Sequence, residues 1–140
     1  MVSAIIVAAG KGTRMGPQVD KLFVELDGCP IVAHTWRRFE EAGCIDELVL
    51  VVRDGMQPAF ASLAKKYKFK KGFRLVAGGK ERQDSVWNGL EGLSPQTEIV
   101  AIQDAARPCT TPALIAATVA AARETGAAVA AQAVTDTIKE

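Results

Sequence analysis

Residues 4–16, Ala-Ile-Ile-Val-Ala-Ala-Gly-Lys-Gly-Thr-Arg-Met-Gly, join an apolar run directly to a glycine-rich turn. The first five of these residues are mostly β-branched and show no polar alternation. This pattern is typical of a parallel strand that is buried on both faces. The glycines that follow allow the backbone to turn and to approach a ligand closely. The stretch therefore predicts an α/β fold with a ligand-binding loop after its first strand.

The same alternation continues along the chain. Further short apolar runs predict strands at residues 48–52, 73–76, 99–102 and 127–130. Between them, apolar residues at helical spacing and helix-ending glycines predict helices at residues 30–42, 58–66, 84–93 and 111–126. Trp36 and Phe39 lie on the apolar stripe of the first helix, and Val86, Leu90 and Leu93 are expected to point inward from the third. Strands that alternate with helices predict an open, mostly parallel, Rossmann-like sheet with helices on both faces.

Composition limits the classes of protein to consider. The chain has 140 residues, the size of one domain, and 49% of them are hydrophobic, which excludes a disordered or collagenous protein. A formal net charge of +1 is too small for a protein that coats nucleic acid. No apolar run is long enough to span a membrane, and the first residues lack the basic region expected of a signal peptide. We therefore expect a single cytoplasmic domain with no membrane or nucleic-acid partner.

The loop after the first strand has the properties of a polyphosphate site. Lys11, Arg14 and Lys21 carry positive charge in or near it, against the single Asp20. Successive backbone N–H groups in a glycine-rich turn form a concave anion site. The dinucleotide fingerprint fails because Met15 stands where its third glycine belongs, and the P-loop motif is absent. A dehydrogenase is thus the least favoured alternative.

Two more segments follow strands and should lie at the same edge of the sheet. Residues 77–86 contain a Gly pair and Ser85, which serve either a nucleotide or merely the cap of the next helix. Residues 103–108 contain Asp104 and Arg107. Asp104 suits a divalent cation or a sugar hydroxyl, and Arg107 suits a phosphate. The structural alternative is a local ion pair between these two residues that closes a turn.

Four segments together resemble the 2-C-methyl-D-erythritol 4-phosphate cytidylyltransferase family: AAGKGTRMG with Lys21, GGKERQDSVWNGL, DAARP and DTIK. The first segment resembles sugar nucleotidyltransferases in general, and RQDSV and DAARP resemble the pyrimidine transferases. DTIK favours the methylerythritol phosphate enzymes over the ribitol-5-phosphate cytidylyltransferases, the nearest alternative. The resemblance implies a nucleotide-diphospho-sugar transferase fold, CTP and a sugar-alcohol phosphate as substrates, and Mg²⁺ as the cofactor.

The resemblance also assigns roles to individual residues. It implies that Arg14 and Lys21 are catalytic and stabilise charge on the α-phosphate of CTP. The implied nucleotide-binding positions are Ala8, Ala9, Gly10, Gly12, Gly79, Ser85 and Ala105. The implied substrate-binding positions are Asp104, Arg107 and Thr137, with Asp104 also implied as the metal ligand and Thr137 reaching the substrate of a neighbouring subunit.

The chain departs from the family pattern in two ways. Gln103 stands where histidine is common, with little expected effect because Asp104 is retained. Family members also continue beyond the position of Glu140 through a dimerising arm that completes the acceptor site. We therefore expect a truncated form of a homodimeric enzyme. A CTP-binding module without catalytic activity is the alternative from another class.

Two weaker signals have structural explanations. Residues 65–71, Lys-Lys-Tyr-Lys-Phe-Lys-Lys, superficially suggest nucleic-acid binding. We instead expect a solvated helix end that runs into an edge segment, where lysines discourage strand pairing. His34 has no second ligand at metal-binding spacing, and we expect a structural or surface role for it.

Overall fold

The computed structural model describes residues 1–10 and 20–133. Its four-stranded sheet contains β1 (Val2–Ala8), β4 (Glu47–Val52), β5 (Phe73–Ala77) and β6 (Ile99–Asp104) in the order β5-β4-β1-β6, with every neighbouring pair parallel. A small antiparallel hairpin pairs β2 (Glu25–Leu26) with β3 (Cys29–Pro30). The predicted parallel α/β sheet is confirmed, whereas the hairpin was not anticipated.

Four helices alternate with the strands: α1 (Ile31–Glu41), α2 (Gln57–Tyr67), α3 (Arg82–Glu91) and α4 (Pro112–Thr125). Each lies within two residues of its predicted position.

The residues that cap α4 explain where this helix begins and ends. Thr111 accepts a hydrogen bond from Leu114 N at 3.2 Å, Pro112 occupies the first turn, and Gly126 ends the helix in the left-handed conformation.

The two faces of the sheet have separate cores. Even-numbered residues of β1, such as Ile6, pack against α1, α2 and α4, and this cluster includes the fully buried Trp36 and Phe60. Ile5 lies on the opposite face with Val49 and Val51. Helix α3 contacts β1, β4 and β5. Helices therefore cover both faces, as the sequence predicts, and Trp36 and Phe39 are core residues as expected.

Leu93 packs against the core beneath α3 as predicted, whereas Leu90 does not point inward. Its buried residues are Ser85 and Gly89, while Leu90 is 37% exposed. A Cβ on Gly89 would come within 2.8 Å of Ile5 and 2.9 Å of Val51. Small residues let this helix approach the sheet more closely than an apolar stripe would allow, and the expectation for Leu90 was therefore wrong.

The predicted fifth strand is also wrong. Residues 127–133 belong to neither a helix nor a strand, and Val129 is 85% exposed. Alanine has little preference for strands, and a strand needs a hydrogen-bonded neighbour, which the structure does not provide for these residues. The apolar composition of this segment was therefore misleading.

The lysine-rich segment keeps Lys65, Lys66, Lys68 and Lys70 exposed, while its aromatic residues and Lys71 pack on the fold. Phe69 stacks on Trp36 with 4.7 Å between ring centroids. The ammonium group of Lys71 donates to the carbonyl oxygens of Glu40 and Ala42 at 2.6 and 3.0 Å, and thereby caps the end of α1. His34 also has a structural role, because its Nε2 contacts the Leu26 carbonyl of the hairpin at 2.8 Å.

Within residues 1–10 and 20–133, no helix combines the length and the hydropathy that a bilayer span requires.

Candidate nucleotide-binding site

The order of the strands defines where a ligand should bind. Proceeding from β1, the chain adds β4 and β5 on one side and then returns to place β6 on the other side. In open α/β sheets, ligands bind outside the carboxyl ends of the strands at the point where this direction reverses. That point lies here between the ends of β1 and β6, at Ala8 and Asp104.

The first loop leaves β1 at this reversal. Ala8 is buried and pairs with Val52, whereas Gly10 is exposed. The predicted residues Gly12 and Arg14 lie outside the described residues. Lys21 lies beyond them as the first residue of a single 3-10 turn, and its side chain is exposed. Ala8, Ala9 and Gly10 thus bring backbone groups to the reversal, and Lys21 is the predicted catalytic cation that the structure describes.

The second loop packs directly on the first. A Cβ on Gly78 would collide with the Cβ of Ala9, so only glycine allows the two loops to lie this close. The Gly78 N–H donates to the Val52 carbonyl at 2.8 Å, which carries the loop one residue past the end of β5. The exposed Gly79 follows. Ala9, just after β1, and Gly78, just after β5, therefore lie in direct contact beside the end of β1.

Ser85 stabilises this second loop from below. Its hydroxyl accepts a hydrogen bond from Gly79 N at 3.1 Å and donates one to the Glu81 carbonyl at 3.1 Å. Glu81 caps α3, and the Asp84 carboxylate accepts from Glu81 N at 2.9 Å. Because Ser85 is buried and its hydroxyl is occupied, its observed role is to hold Gly79 in place.

Asp104, at the end of β6, is held between two arginines. Arg82 donates to its Oδ1 from Nε at 3.1 Å and from Nη2 at 2.8 Å, and Arg107 donates to Oδ2 from Nε at 3.0 Å. Partial burial raises the pKa of this carboxyl group. The hydrogen bonds and positive charges of the two arginines outweigh burial and hold the pKa below its usual value. Asp104 is therefore a carboxylate at neutral pH.

Ala105 lies beneath the site. It is buried, its N–H donates to the Val7 carbonyl at 3.0 Å, and its carbonyl accepts from the Thr35 hydroxyl at 2.7 Å. Both of its backbone polar groups are thus engaged within the protein. The observed geometry makes Ala105 a support for Asp104 and Arg107, and it offers no unengaged backbone group to a ligand.

The predicted local ion pair between Asp104 and Arg107 is present, but the larger arrangement was missed. Arg82 belongs to the quoted segment GGKERQDSV, yet only its neighbours were assigned roles. Its position at the start of α3 was the available signal, because that helix begins at the same edge of the sheet. Arg53, which forms an ion pair with Asp20, was also missed, and no sequence motif identifies it. Thr137 lies outside the described residues.

Asp104 does not form a metal site by itself. In the described parts of the chain, no group of three or more His, Cys, Asp or Glu side chains is placed to hold a metal ion. Both oxygens of Asp104 accept hydrogen bonds from arginine. Mg²⁺ commonly uses one or two carboxylates together with substrate phosphates. The single carboxylate therefore fits a cation whose other ligands are the phosphates of a bound substrate.

Comparison with known proteins supports the same family as the sequence motifs. The profile of the 2-C-methyl-D-erythritol 4-phosphate cytidylyltransferase family matches residues 2–140. Curated proteins of that name from Alkaliphilus oremlandii and Alkaliphilus metalliredigens are 48% and 44% identical to this chain, over 98% and 99% of its length. The chain spans only 58% of each of these relatives.

A solved structure agrees with this assignment. The chain is similar to 4-diphosphocytidyl-2C-methyl-D-erythritol synthase from Anaerococcus prevotii, with a TM-score of 0.76 and 32% sequence identity. The similarity covers 89% of this chain and 51% of that one. Profile, sequence relatives and structure thus agree over nearly the whole of the chain. The chain belongs to the 2-C-methyl-D-erythritol 4-phosphate cytidylyltransferase family.

Proposed function

We propose that this chain binds CTP at the reversal between β1 and β6 and serves as the nucleotide-binding part of a cytidylyltransferase. Its reaction joins CTP and 2-C-methyl-D-erythritol 4-phosphate to give 4-diphosphocytidyl-2-C-methyl-D-erythritol and pyrophosphate. The observation that carries the proposal is the packing of Gly78 on Ala9, with Asp104 and Arg107 at the end of the neighbouring β6. Names of the curated relatives support the choice of substrates.

The chemistry requires positioning more than proton transfer. An oxygen of the acceptor's phosphate attacks the α-phosphorus of CTP, a new P–O bond forms, and the bond to pyrophosphate breaks. A phosphate monoester is already ionised near neutral pH, so no general base is needed. The obstacle is the approach of two anions. Residues that neutralise charge on the α-phosphate therefore supply most of the catalysis, and we assign this role to Lys21 and Arg14.

The backbone of Ala8, Ala9, Gly10 and Gly12 is proposed to surround the phosphates and ribose. Gly79, held by Ser85, is proposed to contact the pyrimidine, and Ala105 is proposed to lie below the ribose. A divalent cation such as Mg²⁺, when bound, would neutralise phosphate charge and align the triphosphate. Asp104 is the residue proposed to hold it.

The acceptor is proposed to bind next to the end of β6. Arg107 offers a planar guanidinium group for its phosphate, and Asp104 offers a carboxylate for a hydroxyl. Thr137 is proposed to contact the acceptor of a neighbouring subunit in a homodimer. The low charge and the class of reaction favour a cytoplasmic enzyme without nucleic-acid partners.

Calorimetry and a pyrophosphate-release assay test the proposal together. We expect the folded protein to bind CTP with Mg²⁺ and to bind it more weakly after addition of EDTA. Pyrophosphate release should require an acceptor and should be faster with methylerythritol phosphate than with ribitol 5-phosphate. A sample that unfolds cooperatively on heating yet shows no heat of CTP binding with Mg²⁺ present would refute the proposal. Binding without release would reduce the function to that of a CTP-binding module.

A further inference from the structure

Arg53 stands at the end of β4, next to the start of the first loop. It follows Val52, and Val52 pairs in register with Ala8, the last residue of β1. The Arg53 guanidinium group binds the Oδ2 atom of Asp20, at the far end of the same loop. Side chains of both residues are about three-quarters shielded from solvent, with 28% and 26% exposed. The ion pair therefore connects Asp20 to the end of β4, beside the end of β1.

Asp20 also restrains the backbone of the neighbouring Lys21. Its other carboxylate oxygen, Oδ1, accepts a hydrogen bond from Leu22 N at 3.2 Å and caps the 3-10 turn that Lys21 begins. Leu22 is buried in the larger core, and Phe23 packs edge-on against Phe60 with 5.7 Å between ring centroids. The backbone of Lys21 is thus fixed on both sides, while its side chain remains exposed.

From this geometry we infer that Arg53 is a positioning residue that acts through Asp20 to direct Lys21 toward the phosphates of the bound nucleotide. The inference rests on the proposed function, because it assumes that Lys21 meets CTP. Arg53 does not touch the nucleotide. Its ion pair orients the carboxylate that caps the turn, and the turn sets the direction of the Lys21 ammonium group.

Three variants separate this role from alternatives. Arg53→Met removes the charge but keeps an unbranched chain. Asp20→Asn keeps a good helix cap and removes only the charged partner of Arg53. Arg53→Lys retains one donor that can reach Asp20. Arg38→Met is the matched control, because it also removes one positive charge and one ion pair, that with Glu41 on the surface of α1.

The readout is the protection of Lys21 from an acylating reagent, measured by mass spectrometry with and without CTP and Mg²⁺. Lys65, exposed in the last turn of α2, is the internal reference. In the unmodified protein CTP should protect Lys21 and leave Lys65 unchanged. Arg53→Met and Asp20→Asn should each reduce protection and weaken CTP binding about tenfold, their combination should be no worse than either, and Arg53→Lys should recover part of the loss.

Each contrary result has a distinct meaning. If CTP fails to bind the unmodified protein, the proposed function is wrong. If CTP binds without protecting Lys21, the proposed contact between Lys21 and the nucleotide is wrong. If Lys21 is protected equally in the unmodified protein, Arg53→Met and Asp20→Asn, the positioning role is wrong. If only Arg53→Met loses affinity, Arg53 contacts the nucleotide directly and the inference is overturned. Thermal unfolding midpoints close to that of Arg38→Met show that a loss is not one of folding.

Discussion

Arg82 and Asp104 connect the start of α3 with the end of β6 through two hydrogen bonds of 3.1 and 2.8 Å to a single carboxylate oxygen. The Arg82 side chain thus links α3, which follows the second loop, to the carboxyl end of β6. Arg107 binds the other oxygen of the same carboxylate. The two arginines thus neutralise the negative charge of Asp104 at the place where phosphates are proposed to bind.

Removal of Arg82 should therefore weaken nucleotide binding more than folding. In Arg82→Met, Asp104 keeps only one of its two guanidinium partners and repels the triphosphate more strongly. We expect CTP affinity, measured by calorimetry, to fall about tenfold. The free energy of unfolding should change by less than about 1 kcal/mol, because the Arg82 side chain is 62% exposed.

Arg123→Met is the control for that experiment. Arg123 is similarly exposed, at 59%, and forms an ion pair with Glu98. Its loss changes net charge equally and should leave CTP affinity unchanged. Equal affinities of the Arg82 and Arg123 variants would contradict a specific role for Arg82.

Lys21→Ala should keep the fold and lose cytidylyl transfer. Its side chain is exposed, so truncation removes little packing, whereas the α-phosphate loses a neutralising charge. We expect turnover to fall by about 10²–10³-fold, by analogy with the loss of one oxyanion donor. Pyrophosphate release is the measurement, with Lys65→Ala as the control. Normal turnover of the Lys21 variant would show that its assigned role is wrong.

Gly78→Ala tests the close packing of the two loops. The added methyl group would collide with the Cβ of Ala9 and approach Ser85 Oγ to 3.1 Å. We expect destabilisation of about 1–3 kcal/mol in chemical denaturation and weaker CTP binding, because the loops must separate. Gly43→Ala is the matched control, since a Cβ there meets no atom within 4 Å. Equal stability of the two variants would disprove the tight contact.

Thr35→Val tests the support beneath Asp104. The valine keeps the shape of the side chain but removes the hydroxyl that donates to the buried Ala105 carbonyl at 2.7 Å. An unsatisfied buried carbonyl should cost about 1–3 kcal/mol of unfolding free energy. In Thr118→Val, the lost bond is a local one to the Leu114 carbonyl on a solvated helix, and we expect a much smaller change. Equal losses of unfolding free energy in the two variants would show that the hydrogen bond to Ala105 stabilises the fold no more than a local helix bond does.

Sequence patterns were sufficient to predict the strands of the main sheet and the four helices. Four of the five predicted strands and all four predicted helices exist, because unbroken β-branched runs and capped apolar stripes depend on local spacing. The strand predicted at residues 127–130 failed because a strand also requires a neighbour, which composition does not reveal. Leu90 was assigned to the inward face of α3 in error, because the close packing of Gly89 against Ile5 and Val51 is visible only in the folded structure.

The sequence by itself determined which segments follow the strands and which of their residues carry charge, since both depend on neighbours along the chain. Only the tertiary structure decided which of these residues meet. Arg82 and Asp104 are 22 residues apart and Asp20 and Arg53 are 33 apart, and in each pair the fold brings a residue at the carboxyl end of a parallel strand to a segment that is distant in sequence. Long-range ion pairs leave no periodic signal in a sequence, because nothing local constrains their spacing.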